Sequence, residues 1–452
     1  MRRFRLISGA TFAFAMLAMV ADAQTPGPAD PQTGASPARD LDAPISDQLN
    51  LPKWFQVGGQ YKGRFESDRG ISFVPGGNDS YYLQRVRIIF AIKPTRWLRF
   101  VADVQDSRNM FYGDNRAFPA YSSDPFDLHQ AYMEIGVPET TGFSVKVGRQ
   151  EIFLGSMRLI GSGEWLNSGR EHDGVRAAYN NVEHGLKVEV IKANLVLVDP
   201  TRFNRDIPRE HWYAVYGTAK KWIPNASVEP YYMLKTTWNT IGELGGHGDT
   251  YVSTLGGRIK GATPGRVDYE VEVAKQIGHY ATDPISALAG AYILGWRPTD
   301  LPSKPRFSVE YDHASGDRNN KDGVHQSFDN MYCGHGYYGF ADQVGWKNVR
   351  SARAGFDFSA SRKLQFRIDV LNDFLDTVQD SLYNIGGVAK FTNRKATSAH
   401  VGEEVDFTMN FQATRNMKFQ AGFSHIFPGL YLMETAKGSS YSVPYVMWTK
   451  NF

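Results

Sequence analysis

From about residue 53 onward the apolar positions of this chain recur two apart. In Val267 to Gln276, Val267, Tyr269, Val271 and Val273 share one face, and Asp268, Glu270, Glu272 and Gln276 share the other. Successive side chains of a strand point to opposite faces, so this pattern predicts a strand with one apolar and one wet side. Val86, Ile88, Phe90 and Ile92 oppose Arg85 and Arg87 in the same way, and Leu364, Phe366, Ile368 and Val370 oppose Gln365, Arg367 and Asp369. Each run is about ten residues long, the length at which a tilted strand crosses a bilayer. No helical period is sustained long enough for a core helix.

The same template predicts strands over 54–66, 81–92, 98–106, 127–137, 143–150, 174–180, 186–193, 212–220 and 227–236. It continues over 251–260, 267–276, 287–296, 305–313, 349–358, 364–373, 399–413, 417–427 and 442–452. The fold expected over 53–452 is therefore all-β: a transmembrane antiparallel up-and-down β-barrel of about 18 strands in the bacterial outer membrane, contacting its lipid. An even strand number puts both barrel ends on the periplasmic side. The links 296–304 and 359–363 read as periplasmic turns; 107–126, 151–173 and 314–348 read as outer loops or inward folds, and loops of that length are uncommon without function. A soluble sandwich or propeller also alternates. Against it stand the Arg and Glu on the polar face, and the aromatics at strand ends, Trp54, Trp97, Trp222, Trp296 and Trp448, where interfacial girdles lie. The closing YVMWTKNF, with terminal Phe452, is similar to the insertion signal of outer-membrane proteins, although Lys450 replaces the usual apolar residue.

Ahead of the barrel, Arg2, Arg3 and Arg5 precede an apolar run from Leu6 to Val20, followed by Ala21, Asp22 and Ala23. This is the layout of a signal peptide over 1–23. Residues 24–52, rich in Pro, Ala, Gly, Ser and Asp, read as a flexible periplasmic tail, a place where a periplasmic secretion partner would engage. Without the signal the net charge falls from +3 to about +1, so no global basic bias points to nucleic acid. One cysteine, Cys333, permits no intramolecular disulfide, and it reads as a partly buried loop residue rather than a nucleophile.

Catalytic chemistry is weakly represented. The 11 histidines show no metal-ligand spacing, and no Ser, His and Asp set sits on an elbow motif, so neither an enzyme nor a cofactor is expected. Asp312, Asp317, Asn319 and Asp322 in DHASGDRNNKDG offer oxygens suited to calcium, but Lys321 stands where a calcium loop wants Asp or Asn; a solvated turn is the better reading.

The segment GRQEIFLGSMRLIGSGEWLNSGREHDGVR at 148–176 resembles the alginate export family of outer-membrane proteins, in which a GRQE strand end leads through a Gly-rich, Arg-containing loop to a DG-[VI]-R strand start. YDHASGDRNNKDGVHQSFDNMYCGHGYYGFADQVGWKNVR at 311–350 and SHIFPGLYL at 424–432 extend the likeness over nearly the whole barrel. The resemblance implies an 18-stranded channel that passes an acidic polysaccharide of the alginate type outward. Guanidinium groups suit that cargo, because they meet carboxylates in paired hydrogen bonds and stay charged. Carried over by position, Arg149, Arg158, Arg170 and Arg176 are candidates to line the pore; pairing with Glu151, Glu164, Glu171 and Asp173 to brace an infolded loop is the alternative for each.

On strand parity, Arg64, Arg85, Arg87 and Arg99 face water as pore-lining candidates, and Asp268, Glu270 and Glu272 line a later stretch. Inward bases gather in early strands and inward acids later, with Glu310, Asp312, Asp369, Glu404 and Asp406, which predicts a basic wall facing an acidic one. Three functions fit this picture: an exporter of polyanionic polysaccharide, a general or sugar-selective porin for small polar solutes, and a blocked barrel that binds partners through its loops.

Overall fold

The computed structural model describes residues 45–46, 49–110, 122–298 and 301–452. The expected signal and most of the tail lie outside them. Near the tail's end, the Ser46 hydroxyl donates to Val57 O at 2.6 Å and accepts from Val57 N at 2.8 Å.

Among the described residues eighteen strands close the barrel. They are β1 (Phe55–Asp68), β2 (Asp79–Thr95), β3 (Leu98–Met110), β4 (Asp124–Gly136), β5 (Gly142–Gln150), β6 (His172–Asn181), β7 (Leu186–Leu197), β8 (Glu210–Ala219) and β9 (Ala226–Ile241). The second half holds β10 (His247–Ala262), β11 (Val267–Tyr280), β12 (Asp283–Trp296), β13 (Arg306–Ala314), β14 (Val349–Ser359), β15 (Leu364–Leu375), β16 (His400–Thr414), β17 (Met417–Pro428) and β18 (Tyr441–Asn451). Each pairs antiparallel with its chain neighbours, and β1 closes on β18 from Gln60↔Asn451 to Glu66↔Tyr445. Closure leaves no sheet edge, so backbone polar groups are satisfied inside the bilayer. Every strand expected from alternation is present. Several run further than expected, β9 to Ile241 and β10 from His247, because beyond the lipid both faces are wet and the alternation fades.

The faces divide as the pattern requires. Phe65, Ile88, Phe90, Ile92, Leu255, Val309 and Val370 are exposed on the outside, whereas Lys62, Arg64, Arg85, Arg87, Glu270, Glu272 and Asp369 are buried inside. Trp54, Trp97, Trp222 and Trp296 are all exposed and, with Trp448, all lie at the short-turn end, forming one interfacial girdle. At the seam, Gly59 exchanges backbone hydrogen bonds with Phe452 (2.8 and 2.9 Å). A Cβ on Gly63 would stand 2.5 Å from the Trp448 ring, which stacks on Tyr82 with centroids 5.7 Å apart.

A continuous apolar cluster lies within the barrel. Segments 151–171 and 315–348 fold into the lumen and pair there through the Ile160↔Tyr332 bridge, Tyr332 N to Leu159 O (2.8 Å) and Gly334 N to Met157 O (2.9 Å). Ile152, Ile160, Phe328, Tyr338 and Trp346 are buried between the two loops and the wall residues around Trp212. Cys333 sits in the same region and is fully rather than partly buried; burial pushes its thiol up to about 12.

Candidate functional site

One side of the lumen is basic, for a local reason. Parity in β1 and β2 turns Lys62, Arg64, Arg85 and Arg87 inward, and strand pairing sets Lys62 opposite Arg85. Clustered buried cations need an anion, and the 151–171 loop brings one. Glu164 contacts Arg85 directly, Lys62 at 3.6 Å and Arg87 at 3.5 Å. Burial alone would raise this carboxyl, but Arg85, Lys62 and Arg87 hold it well below its ordinary range. The next residue, Trp165, lies under the Arg64 guanidinium at 3.9 Å and stacks on His335 of the other infolded loop at 4.1 Å. Arg87 also donates to Gln105 at 2.8 Å, and His129 lies between Glu151, at 2.6 Å, and Glu171.

The same loop reaches a different wall at a locally acidic spot. Arg158 pairs with Glu310, with Asp312 at 3.2 Å and with the Tyr338 hydroxyl at 3.0 Å, its guanidinium 4.8 Å from the Tyr337 ring centre. Breaking a buried pair of this kind by removing one partner costs about 3–5 kcal/mol, so the Arg158 end of the loop is held firmly, and the half-buried Glu164 holds the other end more weakly.

Below Arg158, toward the short turns, lies a cavity of about 420 Å³. Eight cationic side chains line it against four carboxylates. Arg306 and Arg297 meet Asp268 at 2.6 and 2.5 Å, Arg258 meets Glu270 at 3.1 Å, and Arg367 meets Asp369 at 2.6 Å. Arg353 stands 2.8 Å from Asp369 and 3.9 Å from Glu310.

Of the residues the sequence singles out, Arg64, Arg85 and Arg87 meet at the basic wall and Arg158, Asp268 and Glu270 around the cavity. Glu272 faces inward, accepting from Tyr231 and Ser156 at 2.9 and 3.1 Å. Arg99 and Arg176 also face inward but away from that cavity, beside Glu134 (3.7 Å) and Glu189 (2.6 Å). Arg170 is a brace rather than a pore group: it donates to the carbonyls of Gly161, Tyr332 and Cys333 at 2.5–3.1 Å, tying the two infolded loops together.

Arg149 departs from expectation. Its strand alternates exposed Phe143 and Val147 with buried Ser144 and Gln150, so Arg149 lies on the outward face. There it grips Asp173 through two hydrogen bonds (2.9 and 3.0 Å) and the Asn204 carbonyl at 3.0 Å, clasping the loop after β7.

The segregated walls are also corrected. Asp103, Glu66 and Glu134 stand among the early bases, and Arg258, Arg306, Arg353 and Arg367 among the later acids. Parity already put Arg367 on the wet face and could have found the other three, which face or flank inward carboxylates across the ladder: Arg258 opposite Glu272, Arg306 opposite Asp357, Arg353 opposite Leu371 beside Asp369. The turn expected to be solvated is divided: Asp312 lies deep with Arg158 and Asp317 is buried in the loop above, whereas Asp322 stays toward solvent.

Closed antiparallel strands, an apolar outer belt and a charged lumen define an outer-membrane channel of the porin kind. The chain belongs to the alginate export family, which matches it over residues 53–445. None of the curated proteins matches the sequence. Among solved structures it is similar to a BenF-like porin from Pseudomonas fluorescens Pf-5 (TM-score 0.62, 10% identity, 88% of this chain and 98% of that one). It is also similar to OccK11 (OpdR) of Pseudomonas aeruginosa (TM-score 0.57, 9% identity, 88% and 96%) and to OpdK of Pseudomonas aeruginosa, solved with vanillate (TM-score 0.58, 9% identity, 88% and 98%). At these identities the likeness is one of fold.

Proposed function

We propose that this channel passes carboxylate-bearing saccharides of the alginate type, with export of the acidic polymer as its direction. The observation that carries the reading is the cavity lined by eight cationic and four acidic side chains. Its partly exposed cations suit a sliding cargo. Arg297 and Lys260 are 43% and 47% exposed, and ion pairs of that exposure contribute about 0–1 kcal/mol, so an arriving uronate competes for them. Arg158 and Arg353 are buried among stronger pairs and set the shape of the passage.

A general or sugar-selective diffusion porin for small solutes is favoured by a different observation: the infolded loops pair with each other across the lumen and narrow it. Planar-bilayer recording with mannuronate monomer and long oligouronate separates the two. An exporter shows anion preference and block that tightens with oligomer length from the short-turn side. Block by monomer and long oligomer at equal concentration would overturn polymer export and leave the porin reading.

A further inference from the structure

At the long-loop rim a second cluster stands apart from the passage. Glu243 lies in the link between β9 and β10, and Asp317 and His325 lie in the 315–348 loop. One oxygen or ring nitrogen of each lies within 4.8 Å of the other two, and His325 Nδ1 stands 3.8 Å from Glu243 Oε1. Ligand atoms bound at ~2.1 Å around a tetrahedral Zn²⁺ are about 3.4 Å apart, so a small closure brings these three to tetrahedral spacing and leaves the fourth position to solvent.

The Glu243 carboxylate is the second observation. Its side chain is only 10% exposed, and both oxygens are shielded from solvent with no donor group at hydrogen-bond distance; the neighbouring Asp317 carboxyl is another acceptor. A buried carboxylate left in this way costs free energy unless a proton or a cation joins it. Asp283, which accepts from Glu243 N at 2.5 Å, and nearby Asp322 add negative charge, and no lysine or arginine pairs with Glu243 among the described residues.

The other two groups are held in place. Asp317 accepts from Asn319 N, and its own N–H donates to Asp380, both at 3.0 Å. The His325 backbone bridges to Ile285, and its ring stacks on Tyr280 at 4.4 Å. We propose that Glu243, Asp317 and His325 form a binding site for a divalent cation of the Zn²⁺ class, which clips the β9–β10 link to the infolded 315–348 loop. The imidazole selects this class, since Ca²⁺ and Mg²⁺ prefer all-oxygen shells.

Titration of the tag-free barrel in detergent micelles with Zn²⁺, after chelator treatment, tests the site. One Zn²⁺ per chain is expected, with affinity at least about tenfold weaker in E243Q and in H325Q, since even the loss of an outer-shell partner typically costs that much. Co²⁺ added to the unaltered chain should give visible d–d absorption of a tetrahedral site that Zn²⁺ abolishes, a readout independent of any variant's folding. Substoichiometric Zn²⁺, a Co²⁺ spectrum that Zn²⁺ leaves unchanged, unaltered affinity in a heat-modifiable E243Q/H325Q barrel, or tighter Ca²⁺ than Zn²⁺ would each overturn the proposal.

Discussion

Arg158 and Glu164 belong to one infolded loop yet bind different walls: Arg158 pairs with Glu310 and Asp312 of β13, and Glu164 with Lys62, Arg85 and Arg87 of β1 and β2. The loop therefore crosses the lumen as a dipole matched to the charge at each end. It is a constriction held by two independent electrostatic anchors.

Removing the first anchor should loosen the constriction. R158A leaves Glu310 and Asp312 without their buried partner, so single-channel conductance should rise and selectivity should move toward cations. The barrel should still show heat-modifiable mobility, because substitutions inside the lumen spare the wall. Conductance and reversal potential equal to the parent's would show that Arg158 is not the bolt.

Removing the second anchor should act in the opposite sense. E164Q frees three cations, so reversal potentials should shift toward anion preference and oligouronate block should tighten several-fold. A shift toward cations would refute the proposed balance at this wall.

The pH dependence of that second effect follows from its sign. Glu164 is held below the ordinary value of 4.5, so its contribution is fully present above 4.5 and is lost only as pH falls through the depressed value. The selectivity difference between the parent and E164Q should persist from pH 7 to pH 5. Convergence of the two near pH 5.5 would contradict the depressed carboxyl.

Position on the wall should separate two sets of arginines. R306A/R367A removes inward cations of the cavity and should weaken oligouronate block by about tenfold, roughly one charge-assisted contact of 1.4 kcal/mol. R149A removes an outward clasp and should leave block unchanged while protease cleavage at Arg202 or Arg205 in the unclasped loop speeds up. Equal loss of block in both variants would return Arg149 to the pore.

The seam offers a test of assembly. G63V places side-chain atoms against the Trp448 ring, where a Cβ already stands at 2.5 Å, and overpacking of this kind costs about 1–3 kcal/mol. A lower midpoint of thermal unfolding on a heat-modifiability gel is expected, with a partial recovery in G63V/W448A. An unchanged midpoint in G63V would show that the seam relaxes freely.

Much of this architecture was legible in the chain alone. Period-two alternation identified the strands and which residues face in, as with Arg85 and Arg87 against Ile88 and Phe90, because lipid outside and water inside leave each strand position one acceptable class of side chain. Where that rule governs, even Arg149 is correctly read: it alternates in step with Phe143 and Val147, and only the family motif suggested the pore. Partnerships within the lumen obey no such local rule. Glu164 finds Lys62, Arg158 finds Glu310, and Glu243 meets Asp317 and His325 only because closing the sheet brings distant strands around one bore and loops fold into it. Strand parity is set by each residue's own solvent, whereas those pairings are set by the path of loops across a space that exists only after the barrel has closed.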